Sequence, residues 1–101
     1  MKKFDCILAL KALGEENRLR ILRMLMTQES NVNDIADKLE LTQYNVSKHL
    51  RVLREARLLE TEKQGQQRLY KLAASFRSHL AKNDNVLELG CCSFRFDQLP
   101  K

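Results

Sequence analysis

One stretch, TQYNVSKHLRVLREARLL, running from Thr42 to Leu59, constrains the fold more than any other part of the chain. Its apolar residues recur three or four positions apart, which places them in a single stripe along an α-helix. Thr42 is suited to the N-cap, because its hydroxyl can accept from the free N–H groups of the first helical turn. The sequence therefore predicts a helix whose buried stripe consists of Val46, Leu50, Leu53 and Ala56.

The exposed side of this helix is polar near its start and cationic further along. Polar side chains at a helix N-terminus can read base edges in the major groove of DNA, and cations behind them can contact phosphates. This layout is typical of a recognition helix, although an ordinary solvent-exposed amphipathic helix has a similar composition. We predict base contacts by Gln43, Tyr44, Asn45 and Ser47, and phosphate contacts by Lys48, Arg51 and Arg54.

A second short helical pattern lies immediately upstream. Val32–Leu39 places its apolar residues on one face, and Asn31 with Asp34 three positions later has the form of a weak capping box. Only the three residues 40–42 separate this pattern from the recognition helix. Two short helices joined so tightly form a helix-turn-helix.

A β-hairpin is predicted directly after the helix-turn-helix. Leu58–Lys63 and Arg68–Leu72 contain alternating residues and flank a glycine-containing loop of four residues, Gln64–Gln67. A helix-turn-helix followed by such a hairpin is the winged variant of the motif. We expect Lys63 and Arg68, which bracket the hairpin tip, to contact the DNA backbone beside the groove.

Three parts of the sequence, SKHLRVLREARLL, the preceding RLRILRML and the hairpin ending RLYKL, together resemble one known family. Over roughly residues 10–75 the chain resembles the ArsR/SmtB family of winged helix-turn-helix repressors. The resemblance implies a homodimeric transcriptional repressor that leaves its operator when a metal or metalloid ion, or a redox change, is sensed. One departure is Arg57, since the family often has glycine in the turn after the recognition helix.

Composition agrees with one small DNA-binding domain over residues 1–101, mainly α-helical with a small β-hairpin. Its 18 Lys and Arg against 13 Asp and Glu give a formal net charge of +5, which suits a polyanionic partner such as double-stranded DNA. A domain of this size buries only a modest core, so a homodimer interface would add buried apolar surface. The predicted parts are a dimerisation helix at 3–13, the helix-turn-helix at 32–57, the wing at 58–72, and a C-terminal helix and sensor tail at 73–101.

The second helix is predicted at Arg18–Met26, and its arginines are expected to be outward-facing surface charge. No apolar run approaches the length that spans a bilayer, and Asp5 and Lys11 interrupt a weak signal-peptide pattern at the N-terminus. We therefore expect a cytoplasmic protein with no membrane partner. Thiols stay reduced in that compartment, so a structural disulfide is not expected.

The last part of the chain departs from the family's pattern. Ala73–Lys82 is predicted as a helix, but Val86–Lys101 contains alternating apolar residues and a glycine. This pattern favours an extended segment or hairpin over the long terminal helix that the family usually has. No phosphate loop, paired acidic site or nucleophile–base arrangement stands out, so the chain is not predicted to be an enzyme.

Both metal sites that the resemblance implies are incomplete in this sequence. The family's nitrogen–oxygen site pairs Asp and His two positions apart, but Arg77 stands in the acidic position before His79. The family's Cys-x-Cys pair ahead of the recognition helix is replaced by VNDIAD. The cysteines lie elsewhere, with Cys6 on the first helix and Cys91 and Cys92 in the tail.

We predict that Cys6, Cys91 and Cys92 form a thiol sensor, within or across subunits, because the first helix and the C-terminal segment meet in the family fold. Three thiolates favour a soft metal or metalloid ion such as arsenite over zinc, which usually takes four ligands. We expect that no ion is required for folding. A disulfide or polysulfide bridge from Cys6 to Cys91 or Cys92 is the redox alternative, and buried hydrophobic cysteines are the alternative without sensing. An alternative of another class is a DNA-free interaction module whose basic helix binds an acidic protein.

Overall fold

A computed structural model of the protein describes residues 5–97 and 99. Within those residues the order of elements is α1 (Cys6–Leu13), α2 (Glu16–Thr27), α3 (Val32–Leu39), α4 (Gln43–Glu55), β1 (Leu59–Gln64), β2 (Gln67–Leu72), α5 (Ala74–Lys82), β3 (Val86–Glu88) and β4 (Ser93–Arg95). The predicted fold class, mainly α-helical with a small β-hairpin, is confirmed. The predictions for residues 3 and 4 of the first helix and for residues 98, 100 and 101 of the tail lie outside the described residues.

The two helices of the helix-turn-helix begin at the predicted capping residues. The Asn31 side chain accepts a 2.8 Å hydrogen bond from the backbone N–H of Asp34, at the start of α3. The Thr42 hydroxyl accepts a 3.1 Å hydrogen bond from the N–H of Asn45, at the start of α4. Each cap satisfies a donor that the first helical turn leaves free. Local side-chain chemistry therefore encodes where each of the two helices begins.

The turn after α4 shows why the family often has glycine at the position that Arg57 occupies here. Arg57 has a φ of 65°, in the left-handed region. Its N–H donates to the carbonyl of Arg54 at 2.9 Å, and the N–H of Leu58 donates to the carbonyl of Leu53 at 3.0 Å. These two bonds form a Schellman motif, whose left-handed residue is usually glycine. The chain keeps the turn geometry and places a bulkier residue in it.

The core lies between the helices and the inner face of the wing. The helix α1 packs against α2 and α4, and α2 also packs against α3 and β2. The predicted stripe of the recognition helix is confirmed, because its four members are all buried. Fully buried large side chains come from every layer and include Ile21, Leu22, Ile35, Leu50, Leu53, Leu58, Phe76 and Leu87.

The wing is an antiparallel hairpin with a shorter loop than the sequence predicts. Gln64 pairs with Gln67, so only two residues lie between the strands and the predicted four-residue loop is wrong. Gly65, the first loop residue, has a φ of 62°, which a tight two-residue hairpin turn favours. A bridge between Ser30 and Tyr70, with N–H to carbonyl distances of 3.1 and 2.8 Å, joins the wing to the loop before α3. The wing therefore has a fixed position beside the helix-turn-helix.

The tail folds back as a second hairpin, which agrees with the prediction of an extended segment or hairpin. Strands β3 and β4 pair with Leu87 opposite Phe94. The N–H of Glu88 donates to Nε2 of His79 at 3.0 Å, which fixes the hairpin to α5. None of the helices in the described part of the chain is long and apolar enough to cross a membrane.

Candidate DNA-binding surface and cysteine site

All seven predicted DNA-contacting residues of α4 lie on its solvent-exposed side. Tyr44 is the most accessible large apolar side chain among the described residues, with 71% of its surface exposed. The helix therefore presents amide, hydroxyl, phenol and cationic groups while its apolar stripe is buried in the core. The exposed set is Gln43, Tyr44, Asn45, Ser47, Lys48, Arg51 and Arg54.

Two side-chain contacts organise this exposed surface. Nζ of Lys48 lies 5.3 Å from the centre of the Tyr44 ring, within the range of a cation–π contact. Nε of Arg51 lies 3.4 Å from Oε2 of Glu55, one helical turn further on, and the Arg51 side chain is 80% exposed. An exposed pair of this kind contributes only about 0.5 kcal/mol. Both cations are therefore accessible to an incoming phosphate.

The wing brings its two predicted phosphate-contacting residues together. Lys63 and Arg68 are direct partners in the β1–β2 register, and both are exposed. Nη1 of Arg68 donates to Oγ1 of Thr61 at 3.0 Å, which orients the guanidinium along β1. The side-chain amide of Asn31 donates to Oε1 of Gln67 at 3.0 Å and links the hairpin tip to α3. The contacts of Lys63 and Arg68 with DNA remain predictions.

The back of the recognition helix carries a contact that the sequence pattern does not reveal. Nη1 of Arg18 lies 3.2 Å from Nδ1 of His49, and Oε2 of Glu15 lies 3.7 Å from Nε2 of the same ring. Burial is the main reason that the pKa of His49 is lowered below 6.5, and the neighbouring Arg18 and Lys48 lower it further while Glu15 raises it. The neutral ring accepts at Nδ1 from the guanidinium. The sequence predicts Arg18 to be plain surface charge, and this prediction is wrong because the side chain is partly buried between α1 and α4.

The cysteine residues that were predicted to form a sensor come together within one chain. Cys6 and Cys91 form a disulfide with their Cα atoms 6.5 Å apart, although 85 positions separate them in the sequence. Sγ of Cys92 lies 3.8 Å from Sγ of Cys91, and Cys92 is an exposed free thiol. The expectation that no disulfide forms is wrong for this structure, because the tail hairpin returns Cys91 to the start of α1.

The tip of the tail hairpin fixes the two adjacent cysteines. The N–H of Leu89 donates to the carbonyl of Cys92 at 2.9 Å. Gly90, which directly precedes the two cysteines, has a φ of 89°. The N–H of Gly90 donates to Oε1 of Glu88 at 3.1 Å. Within residues 5–97 and 99, no group of three His, Cys, Asp or Glu side chains is arranged to hold a metal ion. A site with three thiolates would first require reduction of the disulfide, because Cys6 and Cys91 are bonded to each other.

Comparisons with known proteins place this fold in a family. Residues 15–61 match the profile described as "Bacterial regulatory protein, arsR family". The chain is 39% identical over 69 residues to the transcriptional activator HlyU of Vibrio cholerae, a match that covers 68% of this chain and 64% of HlyU. The solved structure of reduced HlyU superposes with a TM-score of 0.65 at 35% identity, covering 75% of this chain and 81% of that one.

The chain belongs to the ArsR family. The resemblance predicted from SKHLRVLREARLL, the preceding RLRILRML and the wing is thus confirmed, and so is the winged helix-turn-helix fold. Relatives in this family are transcriptional regulators and not enzymes, which agrees with the prediction from the sequence. The chain spans slightly less than two thirds of the length of HlyU, at 64%.

Two further ArsR-family relatives show what the family includes. The arsenical resistance operon repressor of Staphylococcus xylosus is 28% identical over 85 residues, covering 81% of this chain and 82% of the repressor. The homodimeric winged helix-turn-helix DNA-binding domain of Mb0332 from Mycobacterium bovis superposes with a TM-score of 0.68 at 28% identity, covering 81% of each chain. One of the named relatives is an activator and another is a repressor, so the family includes both directions of regulation.

Proposed function

We propose that the chain is a homodimeric, DNA-binding transcriptional repressor of the ArsR family whose operator affinity is switched by Cys6 and Cys91. The observation that carries the proposal is the disulfide that joins the first residue of α1 to the tip of the tail hairpin. DNA binding is supported by the exposed polar and cationic side of α4 and by the cations on the wing. A regulator of this kind acts in the cytoplasm, where its operator is.

A second copy of the chain is the partner that best explains the surface of α1. Three large apolar side chains of this short helix are exposed, at 59% for Ile7, 46% for Leu8 and 40% for Leu10. A self-complementary interface between two copies would remove this apolar surface from water. The homodimeric state of the Mb0332 domain supports a dimer of this chain as well.

The proposed complex has one recognition helix in each of two successive major grooves. A two-fold symmetric dimer reads an inverted repeat with half-sites about one helical turn apart. The residues near the start of α4 would contact base edges, and the cations of α4 and the wing would contact phosphates. Sequence preference is therefore assigned to α4, and general affinity to the cations.

The redox step of the proposal is a thiol–disulfide exchange. Cys6 and Cys91 together lose two protons and two electrons as their sulfur–sulfur bond forms. Oxidised glutathione, as the electron acceptor, takes up the two protons and two electrons and becomes two molecules of glutathione. The new bond fixes α1 to the tail. Because α1 forms the proposed dimer interface, the bond also changes the orientation of the two recognition helices relative to each other. The oxidised dimer therefore fits its operator less well.

Duplex selection tests whether the chain is a sequence-specific DNA-binding protein. Reduced protein is used to select duplexes from a random library, and the preferred duplex is titrated against a scrambled duplex at several salt concentrations. The proposal predicts an inverted repeat and an affinity for both duplexes that falls steeply with salt. A chain that prefers no sequence, or binds no duplex at low salt, would instead be the DNA-free interaction module whose basic helix binds an acidic protein.

Coordination of a soft ion by Cys6, Cys91 and Cys92 is a second candidate for the signal. The 3.8 Å separation of the Cys91 and Cys92 sulfurs favours it, because reduction would leave three thiols at one place. Adjacent cysteines are poor disulfide partners for each other but suit a large soft ion such as arsenite. The S. xylosus relative, an arsenical resistance operon repressor, supports the same candidate.

Arsenite titration separates the ion from the redox signal. Fully reduced protein is titrated without oxidant, and binding is followed by the ultraviolet absorption of the arsenic–thiolate bonds. The ion candidate predicts one arsenite per chain, loss of DNA, and weaker binding by Cys92→Ser. Reduced protein that binds no arsenite, but releases DNA on oxidation, leaves the redox switch as the function.

A further inference from the structure

We propose that Arg18 is the positioning residue that sets α4 relative to α1 and so passes the state of Cys6 to the DNA-binding surface. This inference rests on the proposed function, since it names the route from the thiol site to the recognition helix. The inference rests on three contacts that the guanidinium of Arg18 makes with α1 and α4.

The guanidinium of Arg18 binds both α1 and α4 at once. Nε donates to the carbonyl of Ala12 at 2.7 Å, and Nη2 donates to the carbonyl of Lys11 at 3.0 Å. Nη1 lies 3.2 Å from Nδ1 of His49 on α4. The side chain is only partly exposed, so these contacts are screened less than those of a surface arginine. The fixed fork of the guanidinium suits three acceptors in this geometry, and lysine has no equivalent arrangement of donors.

The two carbonyl acceptors are those that the end of a helix leaves free. Lys11 and Ala12 belong to the last turn of α1, whose final carbonyls have no partner within the helix. A cation at this end is also favoured by the helix dipole. Arg18 therefore caps α1 from α2, and the cap holds only while the last turn of α1 stays in place.

The opposite end of α1 carries the thiol site. Cys6 is the first residue of this helix of 8 residues, and Leu13 is the last. Because α1 is only about two hydrogen-bonded turns long, we expect a displacement at its first turn to reach its last turn. The disulfide holds the first turn against the tail, and Arg18 holds the last turn against His49. Reduction frees the first turn, and the resulting movement of α1 reaches α4 through the guanidinium.

His49 connects this contact to the DNA-binding surface. It follows Lys48 directly on α4 and precedes the buried Leu50, so its ring lies between the exposed side of the helix and the core. Glu15 and Lys48 are the other charged groups near the ring. A displacement of Arg18 therefore acts on the turn of α4 that carries the predicted phosphate-contacting side chains.

The test compares the DNA affinities of oxidised and reduced protein, so that a general loss of affinity in a variant does not count as a loss of coupling. The readout is the ratio of dissociation constants of the oxidised and reduced forms for the duplex selected with reduced wild-type protein. We expect Arg18→Met to lower a ratio of about ten or more in the wild type to about three or less. Arg20→Met is the matched control, because Arg20 also donates to a backbone carbonyl, that of Leu39, at 3.2 Å, and to Asn17 on its own helix. Arg20→Met should keep the full ratio.

Two variants of His49 distinguish coupling from simple structural support. The amide oxygen of asparagine is as many bonds from Cα as Nδ1 of histidine, so His49→Asn keeps an acceptor for Arg18 and should keep the ratio. His49→Leu fills similar space without an acceptor, so its oxidised and reduced forms should bind the duplex with similar affinity. Arg18→Lys serves if Arg18→Met does not fold, because lysine keeps the charge but not the fork. A full ratio in a folded Arg18 variant overturns the inference.

Hydrogen exchange of α4 amides separates failure of this inference from failure of the proposed function. Oxidation should change the exchange rates of α4 in the wild type and leave them unchanged in Arg18→Met. If wild-type DNA affinity is the same in both redox states, the proposed function fails and the exchange rates still decide the role of Arg18. If oxidation alters α4 equally in both proteins, Arg18 does not transmit the change.

Discussion

The ring of Phe96 lies 5.3 Å from the ring of Phe76, in an edge-to-face contact that fixes the tail hairpin on α5. Both rings are buried, and the N–H of Phe96 also donates to the carbonyl of Asn85 at 2.8 Å. The position of Cys91 is therefore set by core packing as well as by its bond to Cys6. The tail is a packed part of the domain, and this is why it can present a cysteine to α1.

Replacing Phe96 by alanine should loosen the tail. We expect the free energy of unfolding to fall by about 3 kcal/mol, because a buried aromatic side chain is removed and a cavity is left. The measurement is urea denaturation with the disulfide reduced. Phe94→Ala is the matched control and should lose less, since Phe94 is only partly buried. Equal and small losses in both variants would mean that the tail does not pack on α5 without the disulfide.

The lowered pKa of His49 makes stability depend on pH. The unfolded chain takes up a proton near pH 6.5, whereas burial keeps the folded ring neutral to a lower pH. Because the unfolded state then binds more protons, stability falls as the pH drops from 6.5 towards the lowered pKa. Urea denaturation at about pH 7.5 and about pH 5.5 measures the loss. A loss in His49→Asn as large as in the wild type would assign the effect to another group.

Substitutions on α4 should separate base reading from phosphate binding. Asn45→Ala should relax the sequence preference, since an amide that reads a base edge is removed. Arg51→Ala should weaken binding to all duplexes alike and lower the slope of log affinity against log salt by about one. Both effects are measured by titrating the selected and the scrambled duplex. Unchanged affinity in both variants would mean that α4 is not the recognition helix.

Removal of one wing cation should weaken binding modestly and without regard to sequence. Lys63→Ala deletes a charge beside Arg68, and phosphates carry no base identity. Gln64→Ala, at the next position, deletes no charge and is the control. The salt dependence of binding to the selected and scrambled duplexes is the measurement. A change of preferred sequence in Lys63→Ala would show that the wing reads bases.

The parts of the fold that the sequence predicts well are those determined by neighbours along the chain. The caps Asn31 and Thr42 and the buried stripe of α4 follow from spacing and from hydrogen bonds three residues apart. The sequence predicts the wing correctly but makes its loop two residues too long, because glutamine at both Gln64 and Gln67 suits either a strand or a turn. Only the pairing register decides between the two, and it depends on the whole hairpin.

The site was less predictable because its contacts span long distances in the sequence. The cysteines could be grouped from the resemblance, but the bond between Cys6 and Cys91 depends on how the tail packs, and the expected compartment argued against it. Arg18 contacts His49 across 31 positions, so no local pattern distinguishes it from the other arginines of α2. Tertiary packing creates this contact, so the positions of charged residues along the sequence do not predict it.

The central claim is that the bond between Cys6 and Cys91 controls DNA affinity. The most direct measurement is the dissociation constant of the selected duplex with fully reduced protein and with protein oxidised by glutathione disulfide, the bond being verified by mass spectrometry. We predict at least about tenfold weaker binding after oxidation, which corresponds to about 1.4 kcal/mol, and no difference in Cys6→Ser or Cys91→Ser. Equal affinity of the two wild-type forms, with the bond fully formed in one of them, would contradict the account.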